Sequence, residues 1–330
     1  MAVEAALARP LEPLRKLTAP ATVRDRWTAV EYRVAQARNQ LASTWFGGDS
    51  IPSWFVNLGP GSVAACLGPE PDFTPDSLWF RQFERNGLAD ILEQIRFDPA
   101  NPFWRLTERL TRRSLETAAG DYLISLTDLG GDLDILDSLR GTDNLLVDLL
   151  EEPELVEACR DKITGVWMKF FELNNRLFDQ TGQNGYTCWM PCWSALPWTV
   201  LQCDLSVMIG PEMFERFVVP ELEFKSSRIA HTIYHLDGPG EWPHLDLILG
   251  LQGIDAIQYV SLPGDPPNES LHWLSYYRRI TEAGKNVFII VRDPARIIEL
   301  TRKLPAEQLA FQISLDSPDQ AKRFLAALGG

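Results

Sequence analysis

The segment Thr232-Ile233-Tyr234-His235-Leu236-Asp237-Gly238 reads as a buried strand that ends on polar groups. β-Branched and aromatic residues lead into it and Gly238-Pro239-Gly240 closes it, which is strand composition bounded by turn residues. Side chains two apart on a strand share a face, so His235 and Asp237 project together. Apolar runs of similar length recur on both sides, at 51–57, 122–127, 186–190, 256–260, 287–291 and 309–313, with helical patterns between them. Such alternation is what a parallel sheet with crossover helices produces. It predicts an α/β fold, a (β/α)8 TIM-type barrel whose eighth strand is not placed. Residues 1–50 read as an amphipathic N-terminal helical extension, and residues 51–330 as a single barrel domain.

Helix signals agree with this frame. Asp293-Pro294 and Ser317-Pro318 each put a side-chain acceptor before a proline at the first helical position. Leu155, Cys159, Ile163, Val166, Phe170 and Leu173 recur at spacings of three and four, which predicts a long helix from Pro153 to about Leu177 with Cys159 packed in its core-facing stripe.

The chain has 330 residues, 45% of them hydrophobic, and a formal net charge of −14. That charge disfavours nucleic acid and anionic membrane surfaces as partners, because no segregated basic patch offsets it. No apolar run approaches the ~18 residues of a spanning helix. Charges interrupt the first 17 residues, unlike a signal peptide. A cytoplasmic location and a small-molecule substrate are the resulting expectations. Five cysteines, an odd number with unpaired spacing, fit reduced thiols better than a disulfide framework.

In a barrel of this kind the site lies at the C-terminal strand ends, so polar residues there are the candidates. They are Asn57 before Gly59 and Gly61, Asp128 before Gly130-Gly131, and Gln258-Tyr259 on a later strand, besides Tyr234, His235 and Asp237. A neutral imidazole beside a carboxylate can act as a general base, bind a metal or orient a substrate, and the plain alternative is a hydrogen-bonded structural pair. His231, His244 and His272 read as structural. Cys188 and Cys192, four apart, do not match a structural zinc pair, while Trp189 in the same cluster offers a stacking wall. Between Arg228 and Arg278 there is no Lys or Arg, which points away from a polyanionic substrate and toward a polyol, an amine or a methylated ammonium.

The run Gln202-Cys203-Asp204-Leu205-Ser206-Val207-Met208-Ile209-Gly210-Pro211-Glu212-Met213-Phe214, with Phe217 and Pro220 behind it, resembles the helix-entry motif of the uroporphyrinogen decarboxylase superfamily. The His-x-Asp-Gly segment stands where that superfamily carries His-x-Cys-Gly. The resemblance covers most of residues 120–325. It implies a (β/α) barrel, shared by decarboxylases and by zinc methyltransferases that move methyl groups between corrinoid proteins and thiols or folates. The decarboxylases' arginine-rich motif is missing from Ile51 to Gly61, so porphyrin decarboxylation is not expected. Asp237 replaces the first zinc-binding cysteine and Gln312 to Asp316 offers no distal thiol. The resemblance therefore implies His235 and Asp237, completed by Asp204, as a harder ligand set for zinc or another divalent metal. Gln202, Asn57, Asp128, Trp189, Tyr234, Gln258 and Tyr259 are expected to meet substrate. Methyl transfer with a corrinoid carrier or corrinoid protein is the leading functional expectation. A lyase or decarboxylase using Asp128, Asp204 and Asp237 on a neutral molecule is the second, and a non-catalytic ligand-binding barrel the third.

Overall fold

The computed structural model describes residues 1–83 and 87–328. Eleven strands are assigned in that part: β1 (Ala2–Ala6), β2 (Thr44–Gly48), β3 (Ser53–Phe55), β4 (Asp72–Phe73), β5 (Leu78–Trp79), β6 (Leu123–Ser125), β7 (Trp198–Leu201), β8 (His231–Asp237), β9 (Ala256–Val260), β10 (Asn286–Val291) and β11 (Leu309–Leu315). Seven of them form one sheet in the order β2-β1-β11-β10-β9-β8-β7, parallel throughout except for the β1–β2 pair. β3 and β6 pair separately and in parallel, and β4 and β5 form a small antiparallel pair. These ladders join neither β3 to the edge at β2 nor β6 to β7, so the closed eight-stranded ring expected from the alternation is not what the described pairings show. The fold is α/β, with helices packed around a mostly parallel sheet.

The expected strand at 186–190 is absent. Tyr186 makes one antiparallel bridge to Ser194, and the chain turns back between them through Pro191, which has no N–H to give a ladder. The strand follows instead at β7, whose four residues are all buried behind Pro197. The first 50 residues also differ from the helical reading. They contain the helices Val23–Thr28 and Val30–Ala42, but β1 runs parallel to β11 with Ala2 opposite Gln312 and Ala5 opposite Leu315. Alanine favours helix locally, yet the open edge of β11 supplies hydrogen bonds and burial that Val3 and Ala5 take up, and tertiary pairing wins.

The expected long helix is Pro153–Thr181, and Cys159 is fully buried on it. Asp293 caps the helix Pro294–Thr301 by accepting from the Ala295 N–H at 3.0 Å. Between the long helix and its neighbours lies a buried ionisable triad: Lys225 Nζ is 2.7 Å from Asp132 and 2.5 Å from Glu221, and it lies 4.3 Å from the centre of the Trp167 ring. Thr164 donates to the other Asp132 oxygen at 2.5 Å.

On β8 the usual order of burial is reversed. Tyr234 and Leu236, which face the helices, are fully buried, whereas the His235 and Asp237 side chains on the inner face are 14% and 36% exposed. The interior at this end of the sheet is accessible space. No helix among the described residues is long and apolar enough to cross a membrane.

Candidate metal and substrate site

The strand parity of β8 and β9 builds the inner face. His235 lies opposite Gln258 in the parallel register, and their side chains meet, Nδ1 to Oε1, at 2.5 Å. An amide oxygen accepts there, so Nδ1 carries the proton and Nε2 keeps its lone pair. That nitrogen is 4.0 Å from Asp237 Oδ1. Asp204 comes in from the short 3₁₀ turn Asp204–Met208 after β7, and ligand atoms of Asp204, His235 and Asp237 lie within 4.8 Å of one another. Trp189 closes the other side, its ring edge-on to the imidazole with centroids 5.2 Å apart.

Two glycines position the acidic wall. Gly130 has φ +82, and a Cβ there would come within 2.6 Å of Gly61 Cα, so two loops meet backbone to backbone. This contact sets Asp128, whose Oδ1 accepts from the Gly130 N–H at 2.8 Å and whose carbonyl accepts from Ser62. Burial pushes the Asp128 carboxyl up to about 6, against the pull of the Gly130 and Gly61 amides and of His235. Asp134 accepts the backbone N–H groups of Asp204 and Leu205 at 3.0 and 2.8 Å and so holds the turn that presents Asp204. The Asp204 side chain reaches solvent yet is recessed in the mouth. Its pKa is raised by burial, then by Asp237 and Asp128. Glu241, fully buried behind β8, accepts from the Asp237 N–H at 3.1 Å and from the Tyr234 hydroxyl at 3.2 Å.

The expected residues thus do not all share one space. Asp204, His235, Asp237, Gln258, Trp189 and Asp128 gather at one end of the sheet. Gln202 and Asp204 open onto a groove of about 960 Å3, and Asn57 lines a separate cavity that includes Trp189. Tyr234 and Tyr259 have the other parity and face the helices, where Tyr259 packs on Trp242 and Trp273. The three remaining histidines lie outside the cluster: His244 is buried against Phe214 and the Ser206 carbonyl, His231 is exposed beside Asp255, and His272 stands edge-on to Trp273.

The donor set of two carboxylates and one imidazole with a free lone pair fits a divalent cation of nitrogen and oxygen preference. It does not fit a thiolate centre. All five cysteines are unpaired, none joins the cluster, and burial drives the Cys188 and Cys203 thiols well above their ordinary range. Sequence reading missed Arg33, which the helix Val30–Ala42 carries to the Asn57 carbonyl at 2.8 Å. It also missed Gln258 as the group that orients His235. Parity within β9 gives the face of Gln258 but not its pairing with His235, which the register between strands sets; Arg33, distant in sequence, gave no signal.

The fold and site together define an α/β protein with an accessible, acid-lined centre at one end of a mostly parallel sheet. A methyltransferase from Methanosarcina mazei has a similar structure, with a TM-score of 0.56 at 13% identity over 94% of this chain and 87% of that one. The chain therefore has a methyltransferase-like fold. No protein-family model matches it, and no curated protein sequence matches it either.

Proposed function

We propose that the protein is a metal-assisted methyltransferase acting on a small molecule, with a corrinoid or similar carrier as the other methyl partner. The observation that carries this reading is the convergence of Asp204, His235 and Asp237 within 4.8 Å around an imidazole whose tautomer Gln258 sets. His235 Nε2 and the two carboxylates would hold the cation. When bound, a divalent ion polarises a coordinated hydroxyl, thiol or amine and makes its conjugate base available near neutral pH. Trp189 walls the acceptor in and excludes water from one side. Asp128, with a pKa near 6, takes the proton the acceptor gives up. Exposed Trp79 and Met208 at the groove beside Asp204, together with Val207 and Leu262 against Gly240 and Gly238, supply an apolar rim on which a carrier can land.

Zinc and manganese titrations on the native protein, His235→Ala and Asp237→Ala test the reading, alongside demethylation of methylcobalamin with thiol acceptors. We expect saturable binding by the native protein, its loss in both variants without a change in circular dichroism, and loss of methyl transfer with it. Full turnover by a folded His235→Ala protein would sink the role. A second reading, a lyase using Asp128 and Asp204, is favoured by their raised pKa values, since a carboxyl titrating near neutrality can donate as well as accept. Activity that survives chelation and needs no methyl donor selects it.

A further inference from the structure

Beside the acidic centre lies a second cavity of about 560 Å3, bounded by β1, β2, β3 and β6 and by the helix Val30–Ala42. Trp189 lines it and also touches His235, so this one ring separates the two spaces. The character of the cavity is opposite to that of the mouth. Arg33 and Arg26 face it, and its acid is Glu4, already engaged by the Ser50 hydroxyl at 3.1 Å.

Arg33 is the informative group. A guanidinium has five N–H donors. Here one goes to the Asn57 carbonyl at 2.8 Å and one to the Trp27 carbonyl at 3.3 Å, and no other acceptor among the described residues takes the remaining three. No carboxylate pairs with it among the described residues. It rests over the Trp27 ring, 5.2 Å from the centroid, which fixes its plane. Partial burial lowers its pKa to about 10, so it stays cationic at neutral pH. An arginine held this way, with its fork unfilled, is preorganised for a planar anion. Ser125 gives a second and independent sign. It lines the same cavity, is 1% exposed, and its hydroxyl oxygen has no hydrogen-bond partner among the described residues. Buried hydroxyls are ordinarily satisfied, and this oxygen, closed to solvent as it stands, would meet a ligand oxygen in the cavity after a small rotation of its side chain.

We propose that the cavity is a recognition pocket for a small carboxylate-bearing molecule, whose anionic end takes the free N–H groups of Arg33 and whose apolar body lies against Phe46, Phe55 and Trp189. The direction of that body toward His235 rests on the metal-centre reading above, whereas the anion contact does not. The substrate class implied is an amphipathic organic acid with its reactive group opposite its carboxylate. This differs from the cation-poor mouth inferred from residues 228–278, because the cation comes from a helix nearly 200 residues earlier in the chain.

Calorimetric titration with benzoate, phenyl phosphate and benzamide tests the pocket on the native protein, Arg33→Met, Arg33→Lys and Ser125→Ala. Benzoate should bind saturably and benzamide at least about tenfold more weakly, because the amide lacks the charge that fills the fork. Arg33→Met should weaken benzoate by about tenfold or more, and Arg33→Lys by less, since it keeps the charge without the fork. Ser125→Ala should weaken it by a few-fold at most, roughly one neutral hydrogen bond. Phenyl phosphate binding more tightly than benzoate would assign the anion as phosphate instead and overturn the carboxylate. Equal binding of benzoate and benzamide, unchanged benzoate binding in Arg33→Met, or no saturable anion binding each overturn the pocket. If Arg33→Met does not fold, the Arg33→Lys comparison decides. Zinc titration of Arg33→Met should match the native protein. Lost zinc binding by the native protein with Arg33-dependent benzoate binding intact would discard the metal centre and leave the pocket standing.

Discussion

At the scale of single residues, the short contact between His235 and Gln258 organises the centre. By accepting a hydrogen bond from Nδ1–H, the amide selects the tautomer of the neutral ring whose Nε2 lone pair faces Asp237. Gln258→Leu keeps the volume and removes the acceptor, so zinc binding should weaken by about 10–100-fold while folding is unchanged. Titration calorimetry reads this, and unaltered affinity would mean the tautomer is set elsewhere. The strand His-x-Asp was legible because parity alone puts His235 and Asp237 on one face. Its neighbour in space was not, since register between strands is invisible in a single chain. Tyr234 and Tyr259 show the cost of reading strand ends without parity: both sit one residue from a lumen position and both point the other way.

At the scale of elements, the long helix Pro153–Thr181, the helices entered at Pro294 and Pro318 and the later strands follow from periodicity and caps, while the N-terminal strand and the loop at 186–194 do not. β1 is made of residues that favour helix and becomes strand through what β11 offers it, information held more than 300 residues away. The segment 186–190 reads as strand by composition, but Gly185 with φ +95 and Pro191 break the ladder. Glycines separate two kinds of constraint here. Gly130→Ala should destabilise by about 1–3 kcal/mol, because it adds a side chain at positive φ against Gly61. Gly165→Ala, on the helix Pro153–Thr181 with nothing near its missing Cβ, should stabilise by about 1 kcal/mol. Chemical denaturation of the two variants checks both signs. An unaffected Gly130→Ala protein would mean that the Gly61–Gly130 contact is not needed to hold Asp128.

At the scale of the whole molecule, the triad of Asp132, Lys225 and Glu221 ties the helix Asp132–Arg140 to the helix Val219–Ser226, and the long helix joins it through Thr164 and Trp167. Burial, partly offset by Lys225, pushes the Glu221 carboxyl up to about 8, above its value in an unfolded chain. The folded state therefore favours the protonated form. That contribution is complete below the unfolded pKa of about 4.5 and is lost as pH rises through 8. Glu221→Gln, which cannot ionise, should gain stability relative to the native protein between pH 5 and pH 9, as thermal melts across that range would reveal. A constant difference would refute the assignment. Lys225→Met leaves Asp132 buried without its counter-ion and should cost about 3–5 kcal/mol. The reversed burial along β8 has one more consequence. Tyr234 and Leu236 supply the adhesion of this wall, while His235 and Asp237 contribute little to it, so replacing an inward residue exchanges the reagent and leaves the vessel intact. New chemistry can be introduced at this strand at a small cost in stability.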